Sequence, residues 1–312
     1  MKMEKVVVTG AAGFIGSHLC RKLIEDGVTT VIGIDSLRSG DWARTPIEVV
    51  RDERDISDIC LDEWMEILSN TDALFHLAAE KYNSSKSTPE KVLFANIVAT
   101  ERLVRAAALV GVRRTVFTSS LYAYGSMGPA IMDECDVPTP TTLYGASKVM
   151  GEGIFRAIDR EIGLSWNIAR LFFIYGPRQF AEGGYKSVIL SNFERLMNGE
   201  PPTIYGDGTQ ALDYVYIDDC IQGLISLASQ PTEKQIVNIS TGIPITINDL
   251  TQTMLNIANV DKLPIHMPAD WTNGSIRFGS TTLAGERFEW NATTSLEEGL
   301  SRVFEWKLEE QS

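Results

Sequence analysis

The sequence predicts an α/β fold: a doubly wound parallel sheet with a smaller α/β domain towards the C-terminus. Three observations predict it. Short β-branched runs alternate with helical patterns over the first 120 residues, as expected of parallel strands joined by crossover helices. A glycine turn, Gly10-Ala-Ala-Gly13-Phe-Ile-Gly16, follows the first run directly. From residue 172 the pattern changes, and Gly183-Gly184, Gly199, Pro201-Pro202 and Gly206-Asp207-Gly208 break the chain into short pieces.

With 312 residues, 44% of them hydrophobic, the chain can form one large domain or two that share a cleft. The net charge of −13 argues against nucleic acid or an anionic membrane as partner. A small anionic ligand in a locally positive pocket stays compatible with it. Lys2–Glu4 lead straight into Val6-Val7-Val8, with no apolar segment of signal-peptide length, and no later run approaches a membrane span. Cys20, Cys60, Cys135 and Cys220 are scattered and read as buried free thiols in a reducing compartment; His18, His76 and His266 are too dispersed for a metal site. The expectation is a soluble cytoplasmic protein without metal.

Val6–Thr9 reads as a buried strand, and a helix follows the glycines to about Asp26. Strand, glycine turn and helix in this order suit a dinucleotide, and hence a Rossmann-type domain. Gly10 permits the tight turn, Gly13 lets a pyrophosphate approach the backbone, and Gly16 lets helix and strand pack closely. The helix N-terminus, at Phe14 and Ile15, offers free N–H groups to the pyrophosphate. The second strand, Val31–Asp35, ends on an acid placed to bind the adenosine ribose, which favours NAD over NADP; Arg38 is close enough to blunt that preference. Strands follow at 47–50, 73–77, 114–118 and 166–171, with one helix over 90–110 buried under the sheet and against a partner subunit. Ser119-Ser120 lies where ligands bind such sheets: a hydroxyl there could bond a substrate oxygen, or it is a polar strand-to-loop turn. Tyr214–Ile217 reads as a return to the first domain, followed by a helix to about Ser229 and a strand at 236–240, and two further helices start at Thr246 and Ser295. The first domain is therefore 1–171 plus 213–240, and the second 172–212 plus 241–312.

Tyr144-Gly-Ala-Ser-Lys148 opens a helical run with Met150, Ile154, Ile158 and Ile162 every fourth residue. Positions four apart share a face, so phenol and ammonium emerge side by side. A nearby cation lowers a tyrosine pKa towards neutrality, as a general acid/base requires. Two surface neighbours would have the same spacing.

Taken together, the glycine triplet, His76-Leu-Ala-Ala79, Asn96, Ser120, Tyr144-x-x-x-Lys148, Tyr175-Gly-Pro-Arg178, Tyr205-Gly-Asp-Gly208 and Asp213-Tyr-Val-Tyr-Ile-Asp218 resemble extended short-chain dehydrogenases/reductases, the NAD-dependent epimerase/dehydratase family, nearest to nucleotide-sugar 4-epimerases. The resemblance spans nearly the whole chain. It implies a tightly bound NAD, a nucleotide-sugar substrate bound by the second domain and a homodimer built from helices at about 90–110 and 144–162. It makes Tyr144 the acid/base, Lys148 its tuning group on the nicotinamide ribose, and Ser120 the partner of the reacting oxygen. Asp55 and Ile56 would sit near the adenine, with Leu77, Ala78, Ala79, Lys81, Asn96 and Ser119 also on the cofactor side. Dehydratases of this family carry Asp-Glu after the position of Ser120, and decarboxylases a glutamate at the second of those places; here the pair is Leu121-Tyr122, so the usual second acid/base is missing. Epimerisation at C4 remains, with a reductase or dehydrogenase as its enzymatic alternative and an NAD(H)-sensing protein as a non-catalytic one. Tyr122 could supply a second phenol or pack at the sheet edge. Phe173, Leu212 and Asp270 replace the family's usual Asn and two Arg, so Arg178, Lys186 or Arg277 would have to hold a diphosphate, with Tyr205 beside the substrate, or the substrate is another kind of molecule.

Overall fold

A computed structural model describes residues 3–125, 131–179, 187–270 and 272–311. The first half alternates as the sequence predicts: β1 (Lys5–Thr9), α1 (Phe14–Glu25), β2 (Thr30–Ile34), β3 (Val50–Asp52), α2 (Leu61–Leu68), β4 (Ala73–His76), α3 (Ser84–Ser87), α4 (Pro89–Leu93), α5 (Thr100–Val110), β5 (Arg114–Ser120), α6 (Leu143–Glu161) and β6 (Trp166–Leu171). Then come β7 (Phe173–Tyr175), α7 (Val188–Met197), β8 (Thr203–Tyr205), β9 (Ala211–Leu212), β10 (Tyr214–Tyr216), α8 (Ile217–Ser229) and β11 (Gln235–Ile239). The chain ends with β12 (Ile245–Thr246), α9 (Ile247–Ala258), β13 (Ile265–Met267), β14 (Ile276–Arg277), α10 (Thr282–Phe288) and α11 (Leu296–Gln311).

Among the described residues seven strands form one parallel sheet in the order β11-β6-β5-β4-β1-β2-β3. Helices cover both faces, which is why the central strands are apolar on both sides: Val6, Val7 and Val8 are all fully buried. The strand order reverses beside β1, between β2 and β4, and a cleft opens there at the carboxyl ends of the strands. The remaining short strands make small sheets, β12-β9-β14, β13-β8 and β10-β7, beyond that end.

Four expectations are corrected. The third strand lies at Val50–Asp52, because Pro46–Val49 form a turn (Val49 N to Pro46 O, 3.4 Å) that leaves Ile47 exposed. The helix expected over 90–110 is interrupted by a wider, π-type stretch at Phe94–Ala99, where side chains of Asn96 and Thr100 are bonded to other elements. β10 does not rejoin the main sheet: β11 and β5 already occupy both edges of β6, so β10 pairs with β7, and α8 makes the return by packing on α1 and β6. Cys60 and Cys135 are exposed; only Cys20 and Cys220 are buried. Cys60 is the N-cap of α2, where Glu63 accepts from its backbone N–H (2.8 Å). Among the described residues no helix is long and apolar enough to cross a membrane, and no His/Cys/Asp/Glu group could hold a metal ion.

Asp213 ties the outer pieces to the sheet. It is fully buried, and it accepts hydrogen bonds from Thr241 N (2.8 Å), Thr241 Oγ1 (2.7 Å), Gly242 N (2.9 Å) and Gly279 N (3.3 Å). Removing the carboxylate strands four donors, three part-buried and one buried. Asp213→Ala is expected to lower unfolding free energy by about 3 kcal/mol in urea titration; a loss below about 1 kcal/mol would show that the loops do not depend on it.

Candidate active site

The glycine turn builds one wall of the cleft, whose volume is about 900 Å³. Gly10 has φ +71°, and a Cβ there would lie 2.8 Å from Ala78 N. A Cβ on Gly16 would lie 2.0 Å from Gly10 O, so only hydrogen lets α1 start this close to β1. Gly13, the N-cap of α1, carries no capping side chain, which leaves the first-turn N–H groups facing the cleft with Phe14 and Ile15. Asp35 follows β2 and accepts from Ala12 N (3.0 Å) and Leu37 N (2.9 Å), while burial pushes its carboxyl above the ordinary carboxylate range. Asp55, Ile56, Leu77, Ala78, Ala79 and Lys81 line the same cavity. Arg38 bridges Asp55 and Glu80, each at 2.8 Å, so its charge is engaged by two carboxylates. A backbone cradle that a Cβ would fill, free helix N–H groups and a fixed carboxylate fit a dinucleotide.

The candidate reacting groups come from α6 and the end of β5. Thr142 caps α6 by accepting from Gly145 N (3.0 Å), so the helix begins just before Tyr144. One turn on, Lys148 is buried, donates to Thr118 O (2.9 Å) and has its ammonium 5.0 Å from the Phe117 ring centre and 5.7 Å from that of Tyr144. The Ser120 hydroxyl hydrogen-bonds the Tyr144 phenol. Sequence spacing therefore does bring Tyr144, Lys148 and Ser120 together. The expected acidification of Tyr144 is not present, however. Burial pushes its phenol up to about 12, against the hydrogen bond from Ser120, and pushes Lys148 down to about 7, against Glu152. Desolvation acts on both groups and outweighs their proximity.

Tyr122 lines the cavity with its ring edge-on to Tyr144 (5.7 Å between centres). Tyr82, which sequence reasoning did not single out, packs 5.3 Å from Tyr122, and Lys86 lies 4.5 Å over Tyr82. No periodicity marks these residues. Tyr205 lines the cavity, as do Phe173, Leu212 and Asp270.

Other candidates sit elsewhere. Asn96 does not line the cavity: it is buried behind it, accepting from Glu80 N (2.8 Å) and donating to Glu80 O (3.1 Å) and Ser147 Oγ (3.0 Å). It fastens the loop after β4 to α6. Ser119 does line the cavity, but its hydroxyl is committed to Glu152 (2.6 Å). Arg178 is not among the lining residues; its φ of 61° turns the chain after Pro177, and it lies beside His18 and Arg21 of α1. Arg277 is also outside the lining, buried with its guanidinium 5.8 Å over the Tyr122 ring. Lys186 falls outside the described residues. Sequence reasoning also missed Glu152 and Arg170, which pair behind the site. The signals were there: Glu152 is one turn beyond Lys148, and Arg170 is a charge inside a buried strand.

Comparison with known proteins agrees with this geometry. A solved UDP-glucose 4-epimerase of Thermotoga maritima, with UDP-glucose, superposes with a TM-score of 0.92 at 32% identity, covering 99% of this chain and 100% of that one. The UDP-glucose 4-epimerase of Mycolicibacterium smegmatis is 30% identical over 97% of this chain and 98% of its own. A dTDP-glucose 4,6-dehydratase of Streptomyces griseus is 27% identical over 96% of this chain and 93% of its own. The model of the NAD dependent epimerase/dehydratase family matches residues 6–240, and the chain belongs to that family.

Proposed function

We propose that the protein is an NAD-dependent nucleotide-sugar epimerase that inverts C4 through a transient 4-keto sugar and keeps its NAD tightly bound. The observation that carries this reading is the convergence of Ser120, Tyr144 and Lys148 beside the glycine cradle, in one cleft of about 900 Å³. Leu121 and Tyr122 offer no carboxylate to move the second proton of an elimination or decarboxylation, which favours epimerisation over the dehydratase reading.

NAD, which Gly10, Gly13, Gly16 and Asp35 would hold, would supply a reversible hydride acceptor for C4. The protein's part is acid/base work and positioning. Tyr144 takes the proton of the C4 hydroxyl and gives it back to the ketone oxygen. Ser120 donates to that oxygen while the proton is in transit. Lys148, as ammonium, favours the phenolate that Tyr144 must become, working against the burial that holds the phenol near 12. Tyr122 and Tyr205 flank the sugar and nucleotide portions of the substrate. The diphosphate lies against the N-terminus of α7, where Ser187, Val188 and Ile189 line the cleft, in place of side chains at Phe173, Leu212 and Asp270.

The protein also acts as a cytoplasmic homodimer in this reading. Leu93, Phe94, Val98 and Met150 are exposed on helical segments that pack against one another, a surface suited to a second copy.

With UDP-sugars and no added NAD, NMR is expected to show interconversion of C4 epimers, and Tyr144→Phe to slow it by about 10²–10⁴. Full activity in that variant overturns the catalytic assignment. Light scattering is expected to give the mass of a dimer, and Phe94→Glu to give a monomer; a monomeric parent protein contradicts the dimer.

A further inference from the structure

Behind Lys148 lies a buried charged network that the proposed proton transfer does not use directly. Glu152 is one turn along α6 from Lys148, and only 3% exposed. Its Oε1 accepts from Ser119 Oγ (2.6 Å) and Arg170 Nε (3.0 Å), and its Oε2 from Arg170 Nη2 (2.8 Å). Arg170 comes from β6, is 1% exposed, and lies 4.6 Å over the Tyr124 ring, whose hydroxyl donates to Asn238 Oδ1 (2.7 Å) on β11. One carboxylate thus joins α6, β5 and β6 at the level of the reacting groups. Its partner Ser119 is the residue before Ser120, and Thr118, whose carbonyl holds Lys148, is the residue before that.

We propose that Glu152 is a positioning residue of the active site: gripped by Arg170 and Ser119, its carboxylate fixes the Lys148 turn of α6 against the Thr118–Ser120 end of β5 and holds the Lys148 ammonium in its charged form. A fork of two bonds from a guanidinium fixes the carboxylate in direction as well as distance. Burying a bare carboxylate here would cost far more than it returns, so Arg170 and Ser119 are what allow a negative charge to stand this close to the site. Glu152 is not a proton donor in this account, because its oxygens are already engaged. The groups facing Lys148 are Tyr144 and Glu152 on α6, the Phe117 ring and Thr118 carbonyl on β5, and His76 on β4, which burial holds down at about 3 and therefore neutral. Arg170 on β6 acts on it through Glu152. Among these, Glu152 is the anion that opposes the loss of the lysine proton.

The inference rests on Tyr144 and Lys148 being the reacting pair, but its test needs no substrate, so a wrong sugar or reaction would fail separately. In protein as isolated, carrying ¹³Cε-lysine, the Lys148 signal is assigned by its absence from Lys148→Met and titrated by NMR. Glu152→Gln, which keeps the shape and removes the charge, is expected to lower its midpoint by about one pH unit or more. A role in stability alone would lower the melting temperature and leave the midpoint in place. Arg170→Lys replaces the fork with a single ammonium, screens Glu152 less, and is expected to move the midpoint upward; this variant carries the test if Glu152→Gln does not fold. Opposite shifts in the two variants support the proposal. An unchanged midpoint in Glu152→Gln, or an unchanged or lowered one in Arg170→Lys, overturns it.

Discussion

The close packing of α6 on β5 is the constraint on which the rest of the site depends. Gly151 makes it possible: a Cβ there would come 2.6 Å from the Phe117 ring. With the helix that near the strand, Lys148 reaches the Thr118 carbonyl, Tyr144 meets Ser120, and Glu152 meets Ser119. Each contact joins one turn of the helix to one residue of the strand end. A sheet whose strands all point their carboxyl ends the same way delivers β1, β4 and β5 to that place together, so the glycine cradle and the Tyr144–Lys148 pair open into one cleft.

The same packing takes water away, and this sets the electrostatics. A phenol held near 12 and an ammonium held near 7 are both pushed towards neutrality. Proton transfer needs the reverse, a phenolate beside an ammonium. The buried pair is therefore poised for chemistry only when further charge is placed around it. Within the protein Glu152, itself stabilised by Arg170, favours the ammonium half of that pair. The cost of burying these groups is met by hydrogen bonds in the surrounding strands, as with Asp213 and its four donors at the outer loops.

Much of this was legible in the sequence. The parallel sheet followed from β-branched runs alternating with helices, and the cradle from glycines placed between a strand and a helix. Tyr144 and Lys148 followed from helical spacing, which is a local property. What was not legible depends on contacts between distant segments. Arg178 and Arg277 carry the charge of anion clamps, yet one lies against α1 and the other against the Tyr122 ring, because tertiary packing decides where a long cation ends. Asn96 braces two elements from behind the cavity, a role that only its partners at Glu80 and Ser147 reveal. The sign of the Tyr144 shift is hidden for a similar reason: spacing gives proximity, whereas desolvation depends on everything packed around the pair.

The central claim is redox-neutral chemistry on a retained cofactor, since a hydride removed and returned on one sugar leaves no net oxidation. The most direct measurement is to denature the purified protein and quantify the released nucleotide by chromatography. The account predicts NAD or NADH in close to stoichiometric amount with protein chains. A protein that releases neither, and binds NAD(P)H only weakly when it is added, would contradict it and point to a cofactor consumed as a co-substrate.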